Sequence, residues 1–207
     1  MKRQPELESS SSRRSREDRG IALLEFAMIL PFLMVLVTGV LEFGSAFRDS
    51  LTVSNALRSG SRVASNSGDE RLADYGMIKG LEAAIRDVAD SKINRIVVFD
   101  AATLTEPPAA CKAGTSVADV CNVYDPSDFL RPQADFEALS PFDPDLCHPT
   151  APDAAWCPLE RSTDQATGTD RIGVWIEVFL PYRTGLFPGS GLTVTDSVIM
   201  RLEPEIQ

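Results

Sequence analysis

The sequence has few of the groups that enzymes use for catalysis. Its 207 residues include one histidine, and they contain no Gly-x-Ser-x-Gly, no His-Glu-x-x-His and no phosphate-binding glycine loop. Pairs of carboxylates do not indicate a catalytic site here, because the chain has 30 Asp and Glu residues and such pairs are common in it. We therefore expect a protein that is not an enzyme and that needs no cofactor.

Basic residues are scarce outside the N-terminus. Residues 1–20 carry six Lys or Arg and four Asp or Glu, a balance of +2, so the formal net charge of −10 leaves −12 for residues 21–207. Nucleic-acid binding requires a basic surface that neutralises phosphates. The acidic bulk of the chain therefore argues against nucleic acid as a partner.

One apolar run stands out as long enough to cross a membrane. It extends from Ile21 to Phe47, and its only charged residues are Glu25 and Glu42. At about 1.5 Å per residue, such a helix spans a hydrocarbon layer of about 30 Å. Lys and Arg are concentrated before the run, so the positive-inside rule predicts a cytoplasmic N-terminus and an extracytoplasmic C-terminal part.

The start of this run carries a motif. Gly20 is followed by four apolar residues and then by Glu25 and Phe26, directly after a basic leader. This pattern resembles a prepilin peptidase site with its cut between Gly20 and Ile21. The whole segment is similar to the TadE-like family of Tad (Flp) pilus systems. The shared features continue as Pro31, Leu41-Glu42-Phe43-Gly44, Ala46-Phe47, Asn55-Ala56, Arg58, Gly60, Arg62 and Ala64.

The resemblance implies a minor pilin or pseudopilin that packs through its N-terminal helix. It would lie in a bacterial inner membrane and, once assembled, in an extracellular pilus. Its implied partners are prepilin peptidase, other pilins or pseudopilins, the pilus assembly machinery and membrane lipid. The resemblance also gives Glu25 a role: its carboxylate pairs with the ammonium group freed at Ile21, on the same chain or on a neighbour, and aligns an incoming subunit.

Two alternatives use the same apolar run. A basic start, an apolar stretch and Gly44-Ser45-Ala46 also suit a secretory signal peptide that is cut after Ala46. A signal anchor that is never cut would instead carry an extracytoplasmic surface or binding domain that does not assemble into a pilus. Neither alternative explains a glycine before the run and a carboxylate, Glu25, inside it.

The periodicity of the sequence predicts an α+β fold with a long N-terminal helix, a second helix and a three-stranded antiparallel sheet, an arrangement that also resembles pilins. We expect residues 1–20 to be a disordered leader that is removed, residues 21–47 to be transmembrane and residues 48–207 to be the extracytoplasmic domain. Pro31 is expected to kink the first helix, because it lacks an N–H and clashes with the preceding turn. The predicted elements are helices over Ile21–Ser65 and Arg71–Ala89 and strands over Ile93–Phe99, Ile172–Leu180 and Leu192–Leu202.

A loop-rich insertion, residues 101–170, separates the first two predicted strands and holds all four cysteines. Nine residues separate Cys111 from Cys121 and also Cys147 from Cys157, which favours two local disulfides among the three possible pairings. A zinc site that uses His148 beside Cys147 is the rival, but zinc ligands are usually much closer in sequence. The scattered Asp residues lack a calcium-loop spacing, so we expect no metal.

Overall fold

The computed structural model describes residues 9–86, 88, 92–166, 168–185 and 187–204, with side chains from Gly20 onward. The chain divides into two compact units, the first ending at Ser45 and the second beginning at Ala46. The first unit consists, over its described residues, of helix. The second unit contains a sheet with helices packed against it.

The first helix, α1, extends from Ser9 to Ser67 and contains Pro31. The expectation of a disordered leader is therefore wrong for residues 9–19, while residues 1–8 lie outside the described residues. A physical reason is that extending an existing helix avoids the cost of nucleation, so Arg and Glu, which favour helix, continue it backwards. The helix ends at Ser67, two residues beyond the predicted Ser65, because Gly68 has a left-handed φ of 53°.

The second helix, α2, is shorter than predicted and runs from Ala73 to Ile85. The sequence suggests Asp69 as its N-cap, but Leu72 occupies that position without a side-chain cap. The carboxylate of Asp69 instead accepts a hydrogen bond of 3.3 Å from the hydroxyl of Thr163. Asp69 therefore contributes to holding the insertion rather than to starting the helix.

Within the described part of the chain, the sheet has four antiparallel strands, in the spatial order β2-β1-β3-β4. Their bounds are Lys92–Asp100 for β1, Cys121–Tyr124 for β2, Arg171–Pro181 for β3 and Gly191–Arg201 for β4. The predicted count of three is one too low, because β2 has four residues and lies inside an insertion without clear alternation. The insertion also forms α3 (Ala109–Lys112), α4 (Gln133–Glu137) and three single-turn 3-10 helices over Asp128–Leu130, Ala154–Trp156 and Pro158–Glu160.

The two faces of the sheet are covered by different parts of the chain. One face packs on α2 and on the part of α1 from Val53 to Ala64. The other face buries Phe99 and Trp175 beside Cys111 and Cys121 of the insertion. The aromatic ring of Phe99 lies directly over its strand partner Gly173, where a Cβ atom would come within 2.2 Å of the ring. A glycine is therefore required there by close packing.

The close approach of α1 to α2 uses a different glycine from the pair that the sequence suggests. Gly76 and Gly80, four residues apart, suggest a packing notch against α1. A Cβ at Gly80 would meet nothing within 4 Å, and one at Gly76 would make an ordinary contact with Val63. The tight position is Gly60, where a Cβ would lie 2.7 Å from Cγ of Leu81.

Candidate functional site

The predicted processing site lies on an exposed part of α1. Gly20 has no neighbour within 4 Å of its Cβ position, and the side chain of Ile21 is 60% exposed. The Gly20–Ile21 peptide bond lies inside the helix. A peptidase that binds an extended substrate would therefore have to unwind α1 locally before cutting this bond.

The apolar segment after this bond presents its side chains to the surroundings. Gly20–Ser67 is a described helix long and apolar enough to cross a membrane by length and composition. Phe32 and Val40 are 74% and 73% exposed, which is costly in water but favourable in lipid. Glu25, one turn after Ile21, is exposed, whereas Glu42 is buried. The helix continues on both sides of Pro31, and its kink stays a prediction.

The four cysteines form the two local disulfides favoured by their spacing. Cys111 is bonded to Cys121 and Cys147 to Cys157, with Cα–Cα distances of 6.5 and 5.7 Å. The sulfur of Cys147, which the zinc alternative would use beside His148, is therefore engaged in a disulfide. The ring of His148 contacts the hydroxyl of Thr150 at 2.8 Å.

A buried ion pair, which no motif in the sequence identifies, connects α2 to the insertion. The guanidinium of Arg161 donates two hydrogen bonds, of 2.7 and 2.8 Å, to the carboxylate of Asp74, and both side chains are fully buried. Tyr124 and Asn122, from β2, donate further hydrogen bonds of 2.6 and 3.1 Å to the same carboxylate. The guanidinium also stacks over the ring of Trp156, with 4.3 Å from Cζ to the ring centroid. We call these five residues the buried polar cluster.

A second ion pair has the opposite arrangement of charges. Arg71, just before α2, binds both carboxylate oxygens of Asp153 and also donates a 3.1 Å hydrogen bond to the carbonyl of Ala138. Asp153 is fully buried. Asp74 of α2 is the acid of the first pair, whereas Arg71, two residues before α2, is the base of the second pair. The insertion is therefore held by bidentate contacts at two points, one in α2 and one just before it.

The two carboxylates differ in their protonation behaviour. Burial by itself favours a higher pKa for Asp74. The charge of Arg161 and the hydrogen bonds from Arg161, Tyr124 and Asn122 outweigh burial and hold the pKa of Asp74 below its ordinary value. Burial raises the pKa of Asp153, and the nearby charge of Asp74 adds to this, despite the opposing effect of Arg71. Burial and the charge of Asp74 also raise the pKa of Tyr124 well above its usual range.

The sequence does contain a signal for the first of these pairs. Asp74, Ile78, Leu81 and Ile85 follow the spacing of 4, 3 and 4 residues that marks one face of a helix. An aspartate on an apolar face implies a buried partner. No comparable signal identifies Arg161, because that partner lies 87 residues away in a segment without periodicity.

The comparison with known families bears on the N-terminal part. Residues 20–62 match the model of the TadE-like protein family. This segment is TadE-like. The match begins at Gly20 and covers the exposed apolar helix, so it confirms the resemblance drawn from the motif residues. It stops before α2, the sheet and the insertion. No curated protein and no solved structure matches the chain significantly.

Proposed function

We propose that this protein is a minor pilin or pseudopilin of a Tad (Flp) pilus system. Its apolar segment anchors it in the membrane, prepilin peptidase cuts it between Gly20 and Ile21, and its N-terminal helix packs among those of other subunits. The domain from residue 48 onward lies outside the cytoplasm. The observation that carries this proposal is the family match over residues 20–62, which starts at the proposed cleavage site.

Two features of the chain support this arrangement. The side chains of the apolar segment are exposed, as a helix that is solvated by lipid or by neighbouring helices requires. The insertion holds two disulfides, which form and persist in oxidising compartments. Both features suit an anchored protein whose folded domain is exported.

Glu25 would act during assembly. It follows Ile21 by four residues, about 6 Å along the helix axis, so it can reach an ammonium group freed at that residue. A carboxylate inside a membrane helix costs about 2.5–3.5 kcal/mol at the bilayer centre and less near an edge, so a cationic partner is favoured. Such a pair adds little net stability but penalises misaligned helices.

The intact mass of the protein purified from membranes tests the cleavage. We expect a species of 187 residues that begins at Ile21. A mass that corresponds to a start at Met1 would support an uncut anchor, and a start at Phe47 would support a secretory signal peptide. Either result contradicts processing at Gly20.

Substitution of Glu25 tests the assembly role. Glu25→Ala and Glu25→Gln should leave cleavage and membrane insertion intact while abolishing assembly into a pilus or co-purification with other pilins. Thr38→Val is the matched control, because the Thr38 hydroxyl bonds the Met34 carbonyl of its own helix. If the Glu25 variants assemble like the control, the role of Glu25 is wrong and the non-assembling anchor is favoured.

A further inference from the structure

Two contacts show which end of the folded domain lies nearest to Ala46, the first residue of the second compact unit. The hydroxyl of Ser65 donates to the carbonyl of Arg201, and the hydroxyl of Ser54 donates to the carboxylate of Asp196, both at 2.6 Å. The later residue of α1 thus contacts the later residue of β4, so the two elements run in the same direction. The start of β4, and the loop that precedes it, therefore lie toward the start of this part of α1.

An ion pair fixes this loop at that end. Arg183 belongs to the β3–β4 loop, described over residues 182–185 and 187–190, and its guanidinium donates to the carboxylate of Asp49 at 2.8 Å. Asp49 follows Phe47, the last residue of the apolar run, by two residues, which is about 3 Å of helix. The headgroup layer on each side of a bilayer is about 5–7 Å thick. When the apolar run fills the hydrocarbon, Arg183 therefore lies at headgroup depth.

The side chains at this end suit that depth. The rings of Tyr182 and Phe187 contact each other, with centroids 5.9 Å apart, and the side chain of Arg183 is half exposed. Leu192, the second residue of β4, is 45% exposed, and Phe47 is 68% exposed. Tyrosine and tryptophan are enriched at the membrane–water interface, and a guanidinium group binds phosphate through paired hydrogen bonds.

We propose that the β3–β4 loop rests on the membrane surface and binds lipid headgroups, with Arg183 contacting a lipid phosphate while it holds Asp49. The rings of Tyr182 and Phe187 contact the boundary between headgroups and acyl chains. This proposal rests on the membrane anchor of the proposed function but not on pilus assembly. It gives the domain a second attachment to the bilayer.

Quenching of tryptophan fluorescence by brominated lipid tests the contact. The full-length protein is placed as single copies in nanodiscs that contain anionic lipid, with and without bromine on the acyl chains near the headgroup. A new tryptophan is introduced by Phe187→Trp, and the signal of the parent protein, which contains Trp156 and Trp175, is subtracted. Because ring placement at the interface brings the indole close to bromine, we expect quenching at least about twofold stronger than at the control position.

The matched control is Phe142→Trp, which makes the same change in another exposed loop. Phe142 is 94% exposed and lies in the turn 140–146, next to Ala138, whose carbonyl binds Arg71. Arg71 follows the end of α1, so this turn is at the opposite end of the domain. Equal, weak quenching at both positions would overturn the proposal, and a neighbouring protein would then be the better candidate for this loop.

A third variant separates this proposal from the anchor itself. Phe32→Trp places the indole within the apolar segment, where brominated lipid should quench it strongly. Quenching at Phe32→Trp without quenching at Phe187→Trp would refute the loop contact and leave the anchor intact. Absence of quenching at both would refute the anchor as well. Arg183→Gln, added to Phe187→Trp, should reduce the quenching, whereas unchanged quenching would remove Arg183 from the proposed contact.

Discussion

Two regions of the molecule are stabilised by opposite means: the apolar part of α1 and the loop-rich insertion, residues 101–170. Residues 21–47 expose most of their side chains and depend on lipid or on neighbouring helices for burial. Residues 101–170 carry two disulfides and bury Asp153 and Arg161, whose partners Arg71 and Asp74 lie just before α2 and in it. Under the proposed function, assembly would use the first region, whereas the contacts of the second region hold the folded domain together without a partner.

The comparison predicts that removing one charge from the insertion has the largest effect on stability. Arg161→Met leaves the carboxylate of Asp74 buried without its cation, which should cost about 3–5 kcal/mol of unfolding free energy. Chemical unfolding of the detergent-solubilised protein, followed by the near-ultraviolet signal of its tryptophans, measures the loss. Arg131→Ala is the control, because its ion pairs with Asp128 and Asp135 are on the surface and should contribute less than about 1 kcal/mol.

A double variant shows whether the charge is the cause. Asp74→Leu combined with Arg161→Met removes both charges and should recover part of the stability that the single change loses. If the double variant is as unstable as the sum of two single changes, the two residues act independently. The ion pair would then not be what fixes the insertion to α2.

The second largest effect should come from the disulfides. Closing a loop of about eleven residues contributes about 3 kcal/mol in the chain-entropy description. We expect Cys147→Ser with Cys157→Ser to cost more than Cys111→Ser with Cys121→Ser, because the loop between Cys147 and Cys157 carries Asp153, the partner of Arg71. Melting temperatures of the two double variants measure this difference. Equal losses would mean that the disulfide does not position Asp153.

The third effect tests how closely α1 and α2 pack. Gly60→Ala places a methyl group 2.7 Å from Cγ of Leu81 and should cost about 1–3 kcal/mol by overpacking. Gly80→Ala is the matched control in a helix with open space, where removing glycine should stabilise by up to about 1 kcal/mol. Thermal unfolding of both variants measures the contrast. If Gly60→Ala leaves the stability unchanged, Leu81 has room to move, and α1 and α2 are less tightly packed than the 2.7 Å approach implies.

The N-terminal segment, the disulfides and three strands were predictable, since each leaves a local pattern. The length of the apolar run is read directly from the sequence, and the alternation of residues from Ile172 to Leu180 predicts a strand. The polar contacts were not predictable, because Asp74 and Arg161 are far apart in sequence and their pairing depends on the finished fold. Strand β2 was missed for a related reason: it has four residues, and Asn122 is buried in it by hydrogen bonds rather than by hydrophobicity.

The smallest expected effect distinguishes the two buried carboxylates by their response to pH. The pKa of Asp74 is held below its ordinary value of 3.8, so its ionised form stabilises the fold above that value and this contribution is lost as pH falls through the folded-state pKa. The pKa of Asp153 is raised, so this group binds its proton earlier in the folded state and its contribution to stability increases as pH falls from the raised pKa toward 3.8.

Asp153→Asn should change stability at neutral pH by less than the loss of about 3–5 kcal/mol expected for Arg161→Met, because the amide keeps one of the two oxygen acceptors for Arg71 and removes a poorly solvated charge. Melting temperatures from about pH 7 to about pH 3 should show that this variant loses stability earlier on acidification than the parent, since the stabilising proton uptake is absent. Asp74→Asn should instead be unstable at neutral pH and respond less to acid than the parent. If the two variants have the same pH dependence, the two ion pairs are electrostatically equivalent, and the opposite pKa shifts assigned to Asp74 and Asp153 are wrong.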